Sequence, residues 1–515
     1  MQYLKRYGLL LLSTIMIFSC TNIKKGEAKQ EEKPNVIIIF PDQYRQFSLG
    51  FWSQGDNAKY IHGKPDPVNT PALDKLANDG VVFSRAMSNF PLCSPYRGML
   101  LSGQYPTKNG LTANCRKDRE VGIKVDGKAI ANVFTQGGYE TAYFGKCHWQ
   151  KTVPMFDEKG TYHGTTEAPG GHYINRYDTY VPPGGPRLGY KYFFQTLRDT
   201  HKDPLCYSND PKAIEGFKEG ELYQPKRFSA EFESEALLNY LDNTHGQRDM
   251  DKPFFVTWSL NPPHNPWDEE STDMKFFPQY TNQGNIEIDD LLLRGNADKE
   301  VGEYAPYYFA NVSAVDYYIG LVLDKLEKMG VADNTIIVFS SDHGEMLGSH
   351  GHKGKPYPES EAFNIPFILK WGKELNHRVE DLILSVPDVM PTLLALVGLE
   401  DIIPATVQGT NFASIIKDPE SNITQRPNAV LYFDYNQRGL YLGDYTFVVK
   451  TSNGVDFKEA FYYDNVKDPY QLHKIKGDQM NLELVEEWKK ILVKQLIAIE
   501  DKWAIQKICE GYLEY

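Results

Sequence analysis

Pro34-Asn35-Val36-Ile37-Ile38-Ile39-Phe40-Pro41-Asp42-Gln43 is the stretch that decides the fold. Val36 to Phe40 is an unbroken β-branched and aromatic run, which reads as a strand buried on both faces, as in a parallel sheet. It stops at Pro41, and an acid and an amide come next at its carboxyl end. A second run, Thr335-Ile336-Ile337-Val338-Phe339-Ser340, stops in the same manner, in Ser341-Asp342-His343-Gly344. Residues 141–144, 254–260 and 365–369 read as further strands. Residues 70–79, 129–135, 308–329 and 387–397 read as helices. Thr70-Pro71 offers a cap and a first-turn proline, and Gly80 and Gly330 are stops. The alternation predicts an α/β fold with a mostly parallel central sheet flanked by helices. Ligands of such folds gather beyond the carboxyl ends of the strands, where Asp42 and Asp342 are expected.

After about residue 425 the alternation weakens. Residues 431–434, 440–442, 445–450 and 461–464 read as short antiparallel strands, and 481–500 as an amphipathic helix. A catalytic domain over 34–425 is therefore expected to precede a smaller C-terminal α+β subdomain, 426–515, with an antiparallel sheet. Residues 151–226 are rich in Gly, Pro and Tyr and show little periodicity. They read as a long loop walling a site. His163, His172, Arg176, Arg198 and His201 lie in it as candidates for substrate contact.

The N-terminus reads as a targeting segment. Lys5 and Arg6 form a positive start, and the apolar run 9–18 is too short for a comfortable bilayer span. Ile17-Phe18-Ser19-Cys20 resembles a loose bacterial lipobox, in which Cys20 becomes the lipidated first residue, with an ordinary cleaved signal peptide as the alternative, and 21–33 reads as a tether. The expected location is the periplasm, outer membrane or cell surface of a Gram-negative bacterium, with the membrane met only through the lipid. A net charge of -13 over 515 residues argues against a general nucleic-acid binder. An anionic substrate would need a local cationic pocket. The six cysteines are scattered and form no zinc pattern.

Phe90-Pro91-Leu92-Cys93-Ser94-Pro95-Tyr96-Arg97-Gly98-Met99-Leu100-Leu101-Ser102-Gly103 carries the chemistry. Ser94 reads as an N-cap, Pro95 as the first helical residue and Gly103 as a left-handed stop. Cys93 is thus expected at a helix N-terminus, where free N–H groups and the helix dipole suit an anion. Arg97, one turn on, adds a planar donor fork.

Cys93-Ser94-Pro95-Tyr96-Arg97 resembles the Cys-x-Pro-x-Arg signature of the type I, formylglycine-dependent sulfatases of the alkaline phosphatase-like superfamily. Further elements resemble that family in the same order: Pro34 to Gln43, Asn69-Thr70-Pro71-Ala72-Leu73-Asp74, Ser102-Gly103-Gln104-Tyr105-Pro106, Gly145-Lys146-Cys147-His148, Asn261-Pro262-Pro263-His264-Asn265-Pro266, Ser341-Asp342-His343-Gly344-Glu345 and Gly354-Lys355-Pro356. Each is weak alone, and the shared order is specific.

The resemblance implies that a maturation enzyme oxidises Cys93 to 3-oxoalanine (formylglycine), whose hydrate is the nucleophile. It implies that Asp42, Gln43, Asp342 and His343 bind one divalent metal, Ca2+, together with the modified Cys93. Many family members carry Asp in place of Gln43 and Asn in place of His343, and a His nitrogen leaves room for Mn2+ or Mg2+. By the same resemblance Arg97 and Lys146 hold the modified residue, and His148 is the base that triggers sulfate expulsion. His264 and Lys355 meet the sulfate and the leaving oxygen, one of them as general acid. The implied activity is hydrolysis of sulfate esters on glycosaminoglycan or mucin-type glycans, with His172, Arg176 and His201 toward the sugar. Two other readings stand beside it: a phosphonate monoester or phosphodiester hydrolase of the same superfamily, and an inactive glycan-binding lipoprotein.

Overall fold

The computed structural model describes residues 33–116, 119–151, 178–198, 201–214, 216–281, 304–372, 374–421, 423–452 and 456–502. The opening run forms β1 (Asn35–Ile39), all five residues buried. The other strands are β2 (Val81–Phe83), β3 (Ala86–Met87), β4 (Glu140–Gly145), β5 (Tyr192–Thr196), β6 (Cys206–Ser208), β7 (Phe254–Ser259), β8 (Thr335–Phe339), β9 (Ile368–Trp371), β10 (Arg378–Glu380), β11 (Leu384–Ser385), β12 (Val430–Phe433), β13 (Gln437–Tyr441), β14 (Tyr445–Ser452), β15 (Asp456–Asp464) and β16 (Ile475–Lys476). Nine of them form one sheet in the order β10-β2-β9-β8-β1-β7-β4-β5-β6. The run β8-β1-β7-β4-β5 is parallel throughout.

Side chains alternate across β1. Val36 and Ile38 enter one core with Tyr96, Leu100 and Met390. Ile37 and Ile39 enter the other with Leu73, Tyr308 and Val312. Both faces are therefore covered by helices, which explains why the strand is apolar at every position from Val36 on. Cys93–Ser102, Ile130–Gln136 and Val386–Leu396 supply helices on the first side, and Pro71–Asn78, Ser229–Leu241 and Ala305–Lys328 on the second.

Four local expectations are corrected. The strand read at 365–369 begins at Ile368 and runs antiparallel to both β8 and β2. Pro366 has no N–H to give a ladder, so pairing starts beyond it. The stretch 151–226 is not all loop, because Tyr192-Phe193-Phe194 forms β5 and Cys206–Ser208 adds an antiparallel edge. His163, His172 and Arg176 lie outside the described residues. Ser94 is not the N-cap: the helix starts at Cys93 with Leu92 as cap. The Ser94 hydroxyl instead donates to the His148 carbonyl at 2.6 Å and accepts from Cys115 N–H at 3.0 Å. Gly103 closes the helix at φ 63, as expected. Thr70 likewise makes no side-chain cap. The free amides of Ala72 and Leu73 go to the Asp316 carboxylate at 3.2 and 2.7 Å.

β12 to β16 form a separate five-stranded antiparallel sheet in sequence order. The Leu482–Ala498 helix, capped by Asn481, packs Trp488 against Tyr445, Phe447 and Tyr462. Leu431, Phe433, Phe447 and Trp488 join the core that also holds Leu100 and Met390, so this sheet is fused to the main body.

Candidate active site

β8, β1, β7 and β4 lie side by side and point the same way, so the residues just past their carboxyl ends meet at one edge. Asp342, Asp42, His264 and Lys146 lie beyond these four strands in that spatial order. Lys146 is placed by Gly145, whose φ is +92 and whose Cβ, if present, would lie 2.0 Å from the Ser259 carbonyl oxygen. That carbonyl accepts the Lys146 N–H at 2.8 Å. Cys93 comes to the same edge as the first residue of its helix.

Asp42, Cys93, Asp342 and His343 are all buried, and their ligand atoms lie within 4.8 Å of one another. His343 Nδ1 faces the Gly344 carbonyl at 2.8 Å, so it carries the proton. Its Nε2 therefore turns a lone pair toward Cys93 Sγ at 3.4 Å, Asp342 Oδ1 at 3.4 Å and Asp42 Oδ1 at 3.6 Å. Asp342 Oδ2 has no hydrogen bond, with Arg97 3.7 Å away. Acceptors thus outnumber donors in a dry space, and such a set fits a divalent cation. Two carboxylates and one imidazole are a mixed set that does not select the ion.

Electrostatics sharpen the point. Burial and the neighbouring Asp42 charge push Asp342 up to about 7. Burial and Cys93 act upward on Asp42, yet Lys146, His264 and Lys355 hold it well below the usual carboxylate range. Burial likewise acts upward on the Cys93 thiol, and Lys146, Lys355, His343 and His148 overcome it and hold it well below the ordinary thiol value. A protein of net charge -13 therefore brings the two ammonium groups of Lys146 and Lys355 toward this one sulfur.

Arg97 is fully buried under the cluster. Nη2 meets Asp42 Oδ2 at 3.2 Å, and Nη1 donates to the Lys146 carbonyl at 2.8 Å and to Ser259 Oγ at 2.5 Å. Lys146 Nζ donates to the same Asp42 oxygen. Lys355 Nζ donates to Gln43 Oε1, and Gln43 Nε2 donates to the buried Glu345. Glu345 thereby fixes which end of the amide faces inward, and its other oxygen accepts from Leu347 and Gly354 N–H at 3.0 and 2.6 Å. His148 Nε2 faces the Cys115 carbonyl at 3.0 Å, which puts the proton there. Nδ1 makes no close hydrogen bond among the described residues, and burial lowers the ring's pKa, with an interaction with Cys93 opposing. This imidazole is poised as a base. His264 Nδ1 faces the Asn265 carbonyl at 2.7 Å, and Nε2 lies 3.3 Å from Arg198 and 3.8 Å from Asp42 Oδ1.

Cys93, Arg97, Lys146, His148, His264, Lys355, Asp42, Gln43, Asp342 and His343 thus converge on one pocket. Of the loop candidates, Arg198 reaches it through His264. His201 is buried, with its carbonyl accepting Ser229 N–H at 2.5 Å. Sequence reasoning misses Ser259, Glu345 and the Cys115 carbonyl. Glu345 has a signal, since it ends the Asp342-His343-Gly344-Glu345 motif. Ser259 and Cys115 have none, because contacts across the sheet are silent in one chain.

The family model described as Sulfatase matches residues 34–399. A second, described as N-sulphoglucosamine sulphohydrolase, C-terminal, matches residues 348–498. An endo-4-O-sulfatase of Bacteroides thetaiotaomicron is 36% identical over 517 residues, covering 95% of this chain and 97% of that protein. An ulvan-active sulfatase of Formosa agariphila is 28% identical, covering 96% and 87%. A solved structure from work on the metabolism of multiple glycosaminoglycans by Bacteroides thetaiotaomicron superposes with a TM-score of 0.84 at 35% identity, covering 94% of this chain and 100% of that one.

Proposed function

The chain belongs to the sulfatase family and is a sulfuric ester hydrolase, and we propose that it acts on sulfated carbohydrates of the glycosaminoglycan type, after conversion of Cys93 to formylglycine. The sugar is suggested by the similarity to an endo-4-O-sulfatase and to a solved structure from work on glycosaminoglycan metabolism. The observation that carries the site assignment is the buried cluster of Asp42, Cys93, Asp342 and His343, whose ligand atoms lie within 4.8 Å of one another.

The residues that would hold the metal are Asp42, Gln43, Asp342 and His343 with residue 93, and Ca2+ is the ion we propose. When present, the metal and the aldehyde hydrate supply charge neutralisation at a sulfuryl oxygen and a nucleophilic hydroxyl beside a second hydroxyl. The chain's own groups do the rest. Arg97, pinned by Ser259 and the Lys146 carbonyl, fixes Asp42. Lys146 sits where negative charge develops, and a preorganised ammonium in a dry site needs no reorganisation as it does. His148 Nδ1 takes a proton from residue 93 to drive sulfate out. His264 Nε2 and Lys355 Nζ are the donors available to the leaving oxygen.

Export belongs to the same proposal: residues 1–20 as a signal segment with Cys20 lipidated, 21–33 as tether, 34–425 as catalytic domain and 426–515 as subdomain. The partner it needs is a formylglycine-generating enzyme. The test is sulfate release from position-defined sulfated saccharides by matured protein, beside Cys93→Ser. Release from one regioisomer, absent in the control, supports the reading. No release from any sulfated sugar, with the aldehyde present by mass spectrometry, overturns it and turns attention to phosphonate and phosphodiester substrates.

A further inference from the structure

A cleft of about 420 Å³ opens between the segment just beyond Lys355 and the C-terminal sheet. That volume lies within the range of small-ligand sites, about 300–1,000 Å³. Its walls include His352, Tyr357, Tyr435, Lys450 and Lys474. It adjoins the catalytic pocket on two sides. Pro356, in its lining, is the chain neighbour of Lys355, whose ammonium reaches Gln43. Tyr435 packs edge-on against Phe90, with ring centroids 5.5 Å apart, three residues before Cys93.

We propose that this cleft is a subsite for an anionic saccharide residue next to the one whose sulfate is removed, an inference that rests on the carbohydrate reading of the catalytic pocket. The lining has what such a residue needs. His352 and Tyr357 stack at 4.4 Å with planes 6° apart and form a flat platform for a sugar face. The Tyr435 hydroxyl is held by Arg119 at 3.1 Å, which turns that ring into a fixed wall.

Charge selects the ligand. Of the two acids in the lining, Asp434 accepts from Tyr432, Asn436 and Gln437, and Glu359, nearly wholly buried, accepts from Tyr463 through Oε1 while Oε2 has no hydrogen bond among the described residues. Lys474 lies 4.6 Å over the Phe461 ring. No carboxylate among the described residues lies within ion-pair distance of Lys450, whose partner across β14–β15 is Glu459, or of Lys474, so the cleft presents two ammonium groups without a carboxylate bound to them. A uronate carboxylate and a second sulfate ester are the two anions such a sugar carries.

The experiment compares matured wild type with Lys450→Ala/Lys474→Ala on three substrates: an aryl sulfate, a chondroitin 4-sulfate disaccharide and the tetrasaccharide. Neither lysine belongs to the catalytic pocket. The double variant is expected to lose tenfold or more in kcat/KM on the tetrasaccharide, through KM, while the aryl sulfate changes less than twofold. Carboxyl-reduced tetrasaccharide then names the anion: if it erases the difference between the proteins, the uronate is bound, and if the difference persists, the sulfate is. Wild-type turnover of all three substrates with an unchanged variant would overturn the subsite alone. Wild-type turnover of the aryl sulfate with none of either saccharide overturns the carbohydrate reading and the subsite with it. A variant equally impaired on all three substrates also overturns it, because the lysines would then act on the fold.

Discussion

Nε2 of His343 lies 3.4 Å from Sγ of Cys93, with its proton held on the far nitrogen by the Gly344 carbonyl. A lone pair aimed at two carboxylates is unfavourable unless a proton or a cation stands among them, and a divalent ion would satisfy all of them together with the Cys93 sulfur. Chelation should therefore abolish turnover and lower Tm, and Ca2+ should restore both. An ion at a hundred times its Kd adds about 2.7 kcal/mol to stability. Adding Ca2+, Mn2+ or Mg2+ in turn to the chelated protein ranks the ions. A Tm that none of them moves would sink the metal assignment.

His148 is held by one carbonyl and leaves Nδ1 open toward residue 93. Its substitution by Ala should cut kcat by about 10²–10⁴, the usual worth of a positioned base, with a much smaller change in KM. Because burial lowers this imidazole's pKa, the acid limb it imposes on kcat should fall below the ordinary value of about 6.5. A variant that keeps kcat within a few-fold of wild type removes His148 from the mechanism.

Much of this site is legible in the chain because its parts sit at strand ends, and strands buried on both faces are the plainest sequence signal. Asp42 and Asp342 come just after unbroken apolar runs, and a parallel sheet brings such ends together. The hidden parts depend on packing. Ser94 has the chemistry of a cap, but the Cys115 amide and the His148 carbonyl offer its hydroxyl better partners. Tyr192-Phe193-Phe194 sits among glycines and prolines, which mask a strand that the neighbouring β4 stabilises. The cleft beside Lys355 needs residues more than a hundred positions apart, and no local pattern announces it.

Gly145 offers a steric test of how Lys146 is placed. A methyl group there would sit 2.0 Å from the Ser259 carbonyl oxygen, and backbone is what it would have to push. The positive φ is a further penalty, of order 1 kcal/mol. Gly145→Ala should then cost several kcal/mol or lose activity through a displaced Lys146. Denaturant unfolding beside turnover separates the two. Normal values in both would mean that the β4–β7 edge yields readily.

Glu233 is buried outside the catalytic pocket, with Oε2 accepting from the Trp258 indole at 2.9 Å and Oε1 making no close hydrogen bond among the described residues. Burial pushes its pKa from 4.5 up to about 8. The folded protein thus keeps this proton at pH 7, while the unfolded chain has lost it. The group's contribution is fully present below about pH 4.5 and is lost as pH rises toward 8, at up to about 1.4 kcal/mol per pH unit. Glu233→Gln keeps an acceptor for Trp258 and removes the titration. Its unfolding free energy should therefore vary less with pH than wild type between pH 5 and 8, and gain on it most at the alkaline end. Parallel pH profiles for the two proteins would place the proton elsewhere.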